Sequence, residues 1–577
     1  MYADVPAMKA TDYIASYIEN QGVPYVFGYV GGMIAHLVDS IFRSPKIDMV
    51  NTLHEQGAGF AADAFARMTG KTGVALATSG PGATNLLTPV ADCFFDSIPA
   101  VFITGQVNTF EYRKFPAIRQ NAFQETDIVS IARPITKYSV MIEDVSQLRY
   151  ELEKAFYIAQ EGRKGPVLLD IPMDIQRSEY DFSTAVSYLP EVQQKADAIQ
   201  AEAHRVAEKL LAAEKPLLLL GHGVRLSGGV EKVRRLLERS RMPVVQSLLG
   251  VDCVTADYEW NLGLIGTYGN RGANIALSSA DVLLVLGSRL DIRQIGVQMS
   301  VFAGKEIIQV DIDPRQLECD NLKKDTIHAS VDAFAEALLC EPWEELNIGA
   351  WRNRVTRLRG AFPSWKNIDG APLMPNVVLS GLFEALQEDD VVCTDVGQHQ
   401  LWAAQSAQMK GGMRMLTSGG LGSMGFSLPA AIGAAMSGHR AIVISGDGGF
   451  QMNIQELETI KRRGLPIKIV IMNNSSLGMI RQFQDDYFAG RHASSIVDYS
   501  TPDFEKVAEA YGISGYTKAA RDLTPEFWAA FLADDTPALV NVLLEQDSKL
   551  FPKTMFGHAI HDMYPFLPAE EIAKLTE

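Results

Sequence analysis

Little in this chain of 577 residues suits an oxidising or an apolar setting. Its five cysteines, Cys93, Cys253, Cys319, Cys340 and Cys393, are scattered, odd in number and without a CxxC pair, which excludes a disulfide framework or a zinc cluster. They read as buried or free thiols in a reducing compartment. No basic leader precedes an apolar run at the N-terminus, and no uncharged apolar span of about 20 residues occurs anywhere, so neither a secretory segment nor a membrane helix is expected. Positive charge is short as well. Lys+Arg 52 against Asp+Glu 69 leaves a net charge of −17, which argues against nucleic acid or an anionic membrane as partner. Low-complexity tracts and visible repeats are missing, and a cytoplasmic enzyme is the expectation.

The length exceeds what one core can organise and predicts three or four domains at roughly 150 residues each. From Met8 to Ile175 helix and strand patterns alternate: a helix over Ala10 to Gln21, then strands at Tyr25 to Phe27, Gly73 to Ala77, Ala100 to Thr104 and Val167 to Asp170. Such alternation implies a doubly wound parallel sheet. Polar residues from Tyr180 to Lys195 read as a linker. A second α/β unit carries strands at Leu217 to Leu220, Val282 to Leu286 and Ile307 to Val310, and the stretch Asn347 to Pro375 reads as another crossing segment. A third unit runs to Asp547 and is followed by a tail rich in Pro, Met and His. The expected fold is α/β with three doubly wound parallel-sheet domains over residues 1–180, 196–345 and 370–577.

The third unit contains the most informative stretch. Ala441 to Ser445 is a buried strand that stops at Gly446-Asp447-Gly448-Gly449; Ile454, Leu457 and Ile460 then repeat at helical spacing, and Ile467 to Met472 is a second strand running into Asn473-Asn474. Asp447 and Asn474 are 27 positions apart, yet sit at the carboxyl ends of what read as adjacent parallel strands, where open sheets bind ligands. One carboxylate, one amide oxygen and a backbone carbonyl form a hard oxygen site suited to Mg²⁺, which keeps positions for phosphate oxygens.

This GDG followed some two dozen residues later by NN resembles the diphosphate-binding motif of thiamine diphosphate (ThDP) enzymes. The resemblance implies that Asp447, Asn474 and the carbonyl of Ser476 hold the metal, with Gly448 and Gly449 beside the diphosphate. Gly397-Gln398-His399 looks like the family's diphosphate contact. The run Gly419 to Gly425 resembles the loop in which Gly422 and Met424 shape the cofactor's bent conformer, and Met479 joins the same site. In the first unit, His54-Glu55-Gln56-Gly57 and the run that continues to Asn85, together with Phe27 to Gly32, resemble the pyrimidine-binding domain of the acetohydroxyacid (acetolactate) synthase large-subunit branch. By that resemblance Glu55 exchanges a proton with the cofactor's aminopyrimidine ring, Gly32 and Gln124 also belong to the catalytic set, and Ser79 and Asn85 bind ThDP. A carboxylate in an apolar pocket suits proton exchange with a ring nitrogen.

The second unit resembles the flavin-binding domain of the same branch, with FAD as the expected additional cofactor. Gly221, Gly223, Gly266, Thr267, Tyr268, Gly269, Arg289, Asp291, Arg293, Asp311 and Ile312 fall where the family binds it, and Arg133 is a further contact. The branch usually has Met-His where Thr267-Tyr268 stands. The acceptor side departs most. Phe123, Lys137 and Phe483 are the implied substrate-binding residues, but Phe483 stands where synthases have Trp, and 14 residues, Asn108 to Asn121, separate Gly105-Gln106-Val107 from Ala122-Phe123-Gln124-Glu125. Arg113, Lys114 and Arg119 lie in that insertion.

The implied activity is decarboxylation of pyruvate and transfer of the hydroxyethyl carbanion to a second carbonyl, with pyruvate as acceptor giving 2-acetolactate, a step of branched-chain amino acid biosynthesis. A larger or anionic acceptor such as a keto nucleotide sugar, and a decarboxylase or lyase that does not ligate, are the alternatives. The family's active sites form between subunits, so a homodimer or homotetramer is implied, with a small regulatory subunit as a possible partner.

Overall fold

The computed structural model describes residues 7–115, 117–190, 197–318, 322–342 and 345–576. Cys319 and residues 191–196 of the expected linker lie outside them. Three six-stranded sheets follow one another along the chain, each wholly parallel.

In the first sheet β1 (Tyr25–Gly28), β2 (Asp48–Asn51), β3 (Gly73–Ala77), β4 (Ala100–Gln106), β5 (Tyr138–Met141) and β6 (Pro166–Pro172) stand in the order β2-β1-β3-β4-β6-β5. The central sheet comprises β7 (Pro216–Leu220), β8 (Val244–Gln246), β9 (Asn261–Leu264), β10 (Val282–Leu286), β11 (Glu306–Asp311) and β12 (Asp325–His328), ordered β9-β8-β7-β10-β11-β12. That is the 3-2-1-4-5-6 order of dinucleotide-binding sheets. The third holds β13 (Val391–Thr394), β14 (Arg414–Thr417), β15 (Ala441–Gly446), β16 (Ile467–Asn473), β17 (Ser514–Ala519) and β18 (Ala538–Leu543), in the order β14-β13-β15-β16-β18-β17 and so repeating the first sheet's topology. Inner strands such as β10 and β16 are buried throughout, because helices cover both faces; β10 is accordingly an unbroken apolar run, and β16 is apolar from Ile469 to Met472, its buried Lys468 being paired with Asp534 (2.9 Å).

Each sheet therefore has one point where the strand order reverses, between β1 and β3, β7 and β10, and β13 and β15. Crevices open there at the carboxyl ends of the strands. Glycine is required at these points because two chain segments pass within contact distance. A Cβ on Gly31 would lie 2.5 Å from Thr78 Cβ, and one on Gly221 would lie 2.1 Å from the Gly287 carbonyl oxygen.

The first and third units share a core. Helix Glu55–Thr69 and helix Ser427–Met436 are rich in Ala and Gly, and their backbones meet so closely that a Cβ on Gly433 would stand 2.0 Å from Ala61 O. Phe60 and Phe426 pack edge to face across this seam, 5.3 Å between ring centres.

The helical spacing of Ile454, Leu457 and Ile460 is realised as a 3₁₀ turn, Ile454–Glu456, running into helix Leu457–Arg463, and Asn453 (φ −129°, ψ 29°) separates it from the short helix Asp447–Met452. One expectation changes. The stretch after Asn347 is not merely a crossing segment, since Gly349–Ala361 is helical and Trp351 Nε1 donates to Pro216 O (2.9 Å), which joins it to the central unit. The tail also folds back on that unit, Thr554 N donating to Thr267 O (2.7 Å) and Arg271 Nη1 to Met563 O (3.0 Å). Among the described residues no helix is long and apolar enough to cross a membrane.

Candidate active site

A cavity of about 950 Å³ runs from the reversal point of the third sheet to that of the central sheet. At its inner end β15 delivers Asp447, Gly448 and Gly449, and β16 delivers Asn474 and Ser476. Asp447 Oδ1 accepts from Gly448 N (3.1 Å) and Oδ2 from Ser476 N (3.2 Å). Burial nevertheless raises its pKa to about 7, since two amides do not compensate a desolvated carboxylate. Asn474 spends its amide N–H on Gln398 Oε1 (3.1 Å), which fixes the amide's orientation and leaves its oxygen uncommitted among the described residues. His399 Nε2 and Ser476 Oγ are buried without a hydrogen-bond partner, and burial lowers the His399 pKa to about 4, so the ring is neutral.

A carboxylate short of stabilisation, an uncommitted amide oxygen and unpartnered donors facing one cavity fit a divalent cation carrying a diphosphate. The residues present therefore fit the group that the motif implies. Gly397, Gly422, Met424 and Met479 line the same cavity, and Met424 is half-buried. A Cβ on Gly448 would meet Met424 Cε at 3.6 Å.

The outer end of the cavity belongs to the central unit. Gly223, Thr267, Tyr268, Arg289, Asp291, Arg293, Asp311 and Ile312 line it, whereas Gly221, Gly266 and Gly269 lie behind it and shape its turns. Asp311, at the end of β11, has its pKa raised by burial, and Arg289 reaches Asp291 at 3.3 Å. These groups fit a dinucleotide: glycines at the reversal point, guanidiniums for phosphate and a strand-end carboxylate for ribose hydroxyls.

Glu55, Gly32, Ser79, Asn85 and Gln124 are not among the residues lining that cavity. They gather at the reversal point of the first sheet. Glu55 opens its helix, is 7% exposed, and accepts from Asn85 Nδ2 through Oε2 (2.9 Å). A Cβ on Gly82 would lie 3.1 Å from Glu55 Oε1, so that glycine keeps the second carboxylate oxygen clear. Ser79 Oγ is buried without a partner. Gln124 takes φ 65° and packs on Gly80.

The acceptor-side residues disperse. Phe123 is 80% exposed, and Phe483 is 52% exposed, its ring tilted by 44° against Tyr487 with 4.6 Å between centres. Arg133 sits in an exposed turn outside the cavity. Lys137, an expected substrate contact, donates its ammonium to Ile158 O and to Glu161 O (2.6 Å), closing the end of helix Leu148–Gln160, and burial lowers its pKa to about 8. The Asn108–Asn121 loop folds around Glu125, which accepts from Arg113 N (2.8 Å), Asn121 N (2.6 Å) and Ala122 N (3.0 Å).

Several residues around the site escaped the sequence reading. Tyr499 stands behind the cavity, its hydroxyl beside the Asp447 carboxylate, and a Cβ on Gly448 would stand 3.1 Å from that hydroxyl. It comes from an irregular segment that carries no pattern. Arg163 and Lys164, from the turn before β6, enter the outer cavity from another unit, which no local signal foretells.

Three family models match the chain: the thiamine pyrophosphate enzyme N-terminal TPP binding domain over residues 8–131, its central domain over 203–338, and its C-terminal TPP binding domain over 395–542. The acetolactate synthase isozyme 2 large subunit of Escherichia coli (strain K12) is 37% identical over 559 residues, covering 96% of this chain and 99% of the relative. The acetolactate synthase large subunit of Lactococcus lactis subsp. lactis (strain IL1403) is 35% identical over 543 residues, covering 94% and 93%. That of Porphyra purpurea is 35% identical over 554 residues, covering 94% and 92%. With this similarity along nearly its whole length and the motif residues converging at the sheet reversals, the chain belongs to the thiamine pyrophosphate enzyme family, in its acetolactate synthase large-subunit branch.

Proposed function

We propose that this chain is a ThDP- and Mg²⁺-dependent carboligase that decarboxylates pyruvate and joins the two-carbon remainder to a second pyruvate, giving 2-acetolactate. The observation that carries the reading is the convergence of Asp447, Asn474 and the unpartnered His399 and Ser476 groups on one cavity. When bound, ThDP supplies the electron sink that lets a 2-oxo acid lose CO₂ and its remainder attack a carbonyl. Asp447, Asn474 and the Ser476 carbonyl would hold the cation, and His399 Nε2 would donate to a phosphate oxygen, while the Gln398 amide donates to Gln482 Oε1 (2.8 Å) and Ser548 O (3.3 Å) and orients Asn474 through its oxygen. Glu55 exchanges a proton through Oε1, because Oε2 is engaged by Asn85. Gly32 and Gln124 belong to the same end of the first sheet, Gln124 packing on Gly80.

Two copies are needed for a complete site. The reading is supported by the separation of Glu55 and its neighbours from the cavity that holds Asp447. In a homodimer or homotetramer, Glu55 of one copy faces Asp447 of another. The relatives' name, large subunit, supports a small regulatory subunit as a further partner. The scattered thiols support a cytoplasmic setting.

FAD is proposed for the outer cavity on the strength of the central strand order and the residues at its reversal. Protein reconstituted with FAD should be yellow, and no flavin absorbance after desalting would overturn this assignment. Feeding pyruvate alone and assaying acetoin after acidification tests the main reading. CO₂ and acetolactate without an added acceptor are expected. Acetaldehyde as main product would instead make the chain a lyase. The insertion with exposed Lys114 and Arg119 favours a larger or anionic acceptor, such as a keto nucleotide sugar, as the second reading. Turnover that starts only when such an acceptor is added would select it.

A further inference from the structure

The Met424 loop of the third unit is held by side chains of the first. Arg67, on the helix that begins with Glu55, donates Nε to Asp63 Oδ1 (2.5 Å), Nη2 to Asp96 Oδ2 (2.9 Å) and Nη1 to Thr417 O (3.2 Å). Asp96 accepts from the amides of Gly419 (3.0 Å) and Gly420 (2.7 Å). Ser418 donates its hydroxyl to Asp92 Oδ1, and the same oxygen accepts from the amides of Gly422 (3.0 Å) and Ser423 (2.8 Å). One hydroxyl thereby fixes both amides at the bend where Gly422 takes φ +76°, two residues before Met424.

The charges in this cluster do not balance. One guanidinium faces the carboxyl groups of Asp63, Asp92 and Asp96, and all four side chains are almost wholly shielded from water. Asp63 and Asp96 each accept directly from Arg67. Asp92 stands off at 3.8 Å, and its Oδ2 finds no hydrogen-bond partner. Burial first, then the Asp96 and Asp63 carboxylates, push the Asp92 pKa well above the usual range. Asp92 is therefore the least compensated carboxyl of the three.

We propose that Asp92 and Ser418 are positioning residues for the cofactor: the Asp92 carboxyl, through its hydrogen bond and not its charge, anchors the Ser418 hydroxyl, which holds the Gly422 bend and presents Met424 to ThDP. The proposal rests on the ThDP reading and adds two residues outside the metal and diphosphate motifs, Ser418 at the cavity wall and Asp92 behind it. It also ties the Met424 loop to the helix that carries Glu55, through Arg67.

The test uses full-length Ser418→Ala, Asp92→Asn and Asp92→Ala, with ThDP affinity measured by calorimetry at saturating Mg²⁺. Ser418→Ala removes one oxygen that makes three hydrogen bonds and should weaken ThDP about tenfold or more, with the melting temperature of cofactor-free protein little changed. Asp92→Ala should match it, whereas Asp92→Asn, which keeps an uncharged acceptor, should stay within about threefold of wild type. Wild-type affinity in Ser418→Ala would overturn the proposal. So would equal losses in Asp92→Asn and Asp92→Ala, which would mean that the carboxyl acts as an anion. Hydrogen exchange of the Gly419 to Met424 amides without cofactor separates this idea from the ThDP reading. Exchange should accelerate in Ser418→Ala, and unchanged exchange would sink the clamp whether or not the wild type binds ThDP.

Discussion

Replacing Glu55 by Gln isolates the proton-transfer role from every other role that this residue has. The side chain is 7% exposed, and its Oε2 accepts from Asn85 at 2.9 Å, a bond that the glutamine oxygen can keep. Volume is conserved, so fold stability should change by less than about 1 kcal/mol. The proton exchange is lost outright, because an amide neither takes nor gives a proton near neutral pH. General acid–base assistance is worth roughly 10²–10⁴ in rate, or about 3–5 kcal/mol of barrier. CO₂ release from saturating pyruvate should therefore fall by that factor at saturating ThDP and Mg²⁺, while calorimetry still registers ThDP binding. Turnover within about tenfold of wild type would remove Glu55 from its assigned role. Loss of ThDP binding together with activity would make the residue a binding group rather than a proton carrier.

Other perturbations test the frame around the site. Gly433→Ala places a methyl group 2.0 Å from Ala61 O, so the two helices of the shared core must separate; a cost of about 3 kcal/mol is expected and should appear as a lower urea midpoint. Asp170 is fully buried at the end of β6, accepting from Thr104 and Gln106, and burial raises its pKa to about 7. A raised folded-state pKa makes stability fall as pH rises from about 4 to about 7, by about 1.4 kcal/mol per unit. The unfolding free energy of wild type relative to Asp170→Asn should therefore drop by roughly 2–3 kcal/mol between pH 5 and pH 8, and a flat difference would refute the assignment. Lys137→Met should leave the KM for pyruvate within about twofold while lowering the melting temperature, because the ammonium caps a helix. A large rise in KM would place it in the substrate site.

The residues that the sequence made legible share a physical property: they are fixed by the local chain. Strand β10 is a continuous apolar run and β16 is apolar from Ile469 to Met472; they run into Gly or Asn, and the motif residues follow directly on such ends. Strands β9, β12 and β17 lie at sheet edges, are short and half-exposed, and carry polar residues in their runs, so their periodicity is weak. The Arg67, Asp92, Asp96 and Ser418 cluster was invisible because its bonds join positions more than 300 apart. The partners of Lys137 were hidden for a different reason: residue type and resemblance say nothing about where an ammonium points, and here helix carbonyls accept from it. The reversal of strand order, which gathers Gly397 and Asp447 from separate motifs, is a property of the assembled sheet alone.

Everything proposed for catalysis depends on Glu55 of one copy completing the Asp447 site of another. Mixing inactive Glu55→Gln subunits with inactive Asp447→Asn subunits, after dissociation and reassociation, tests it directly. Each mixed dimer would hold one site built from an intact Glu55 and an intact Asp447, so an equimolar mixture should recover about a quarter of wild-type activity per dimer. If both residues serve a site within a single chain, the mixture will stay as inactive as its components, and the intersubunit account fails.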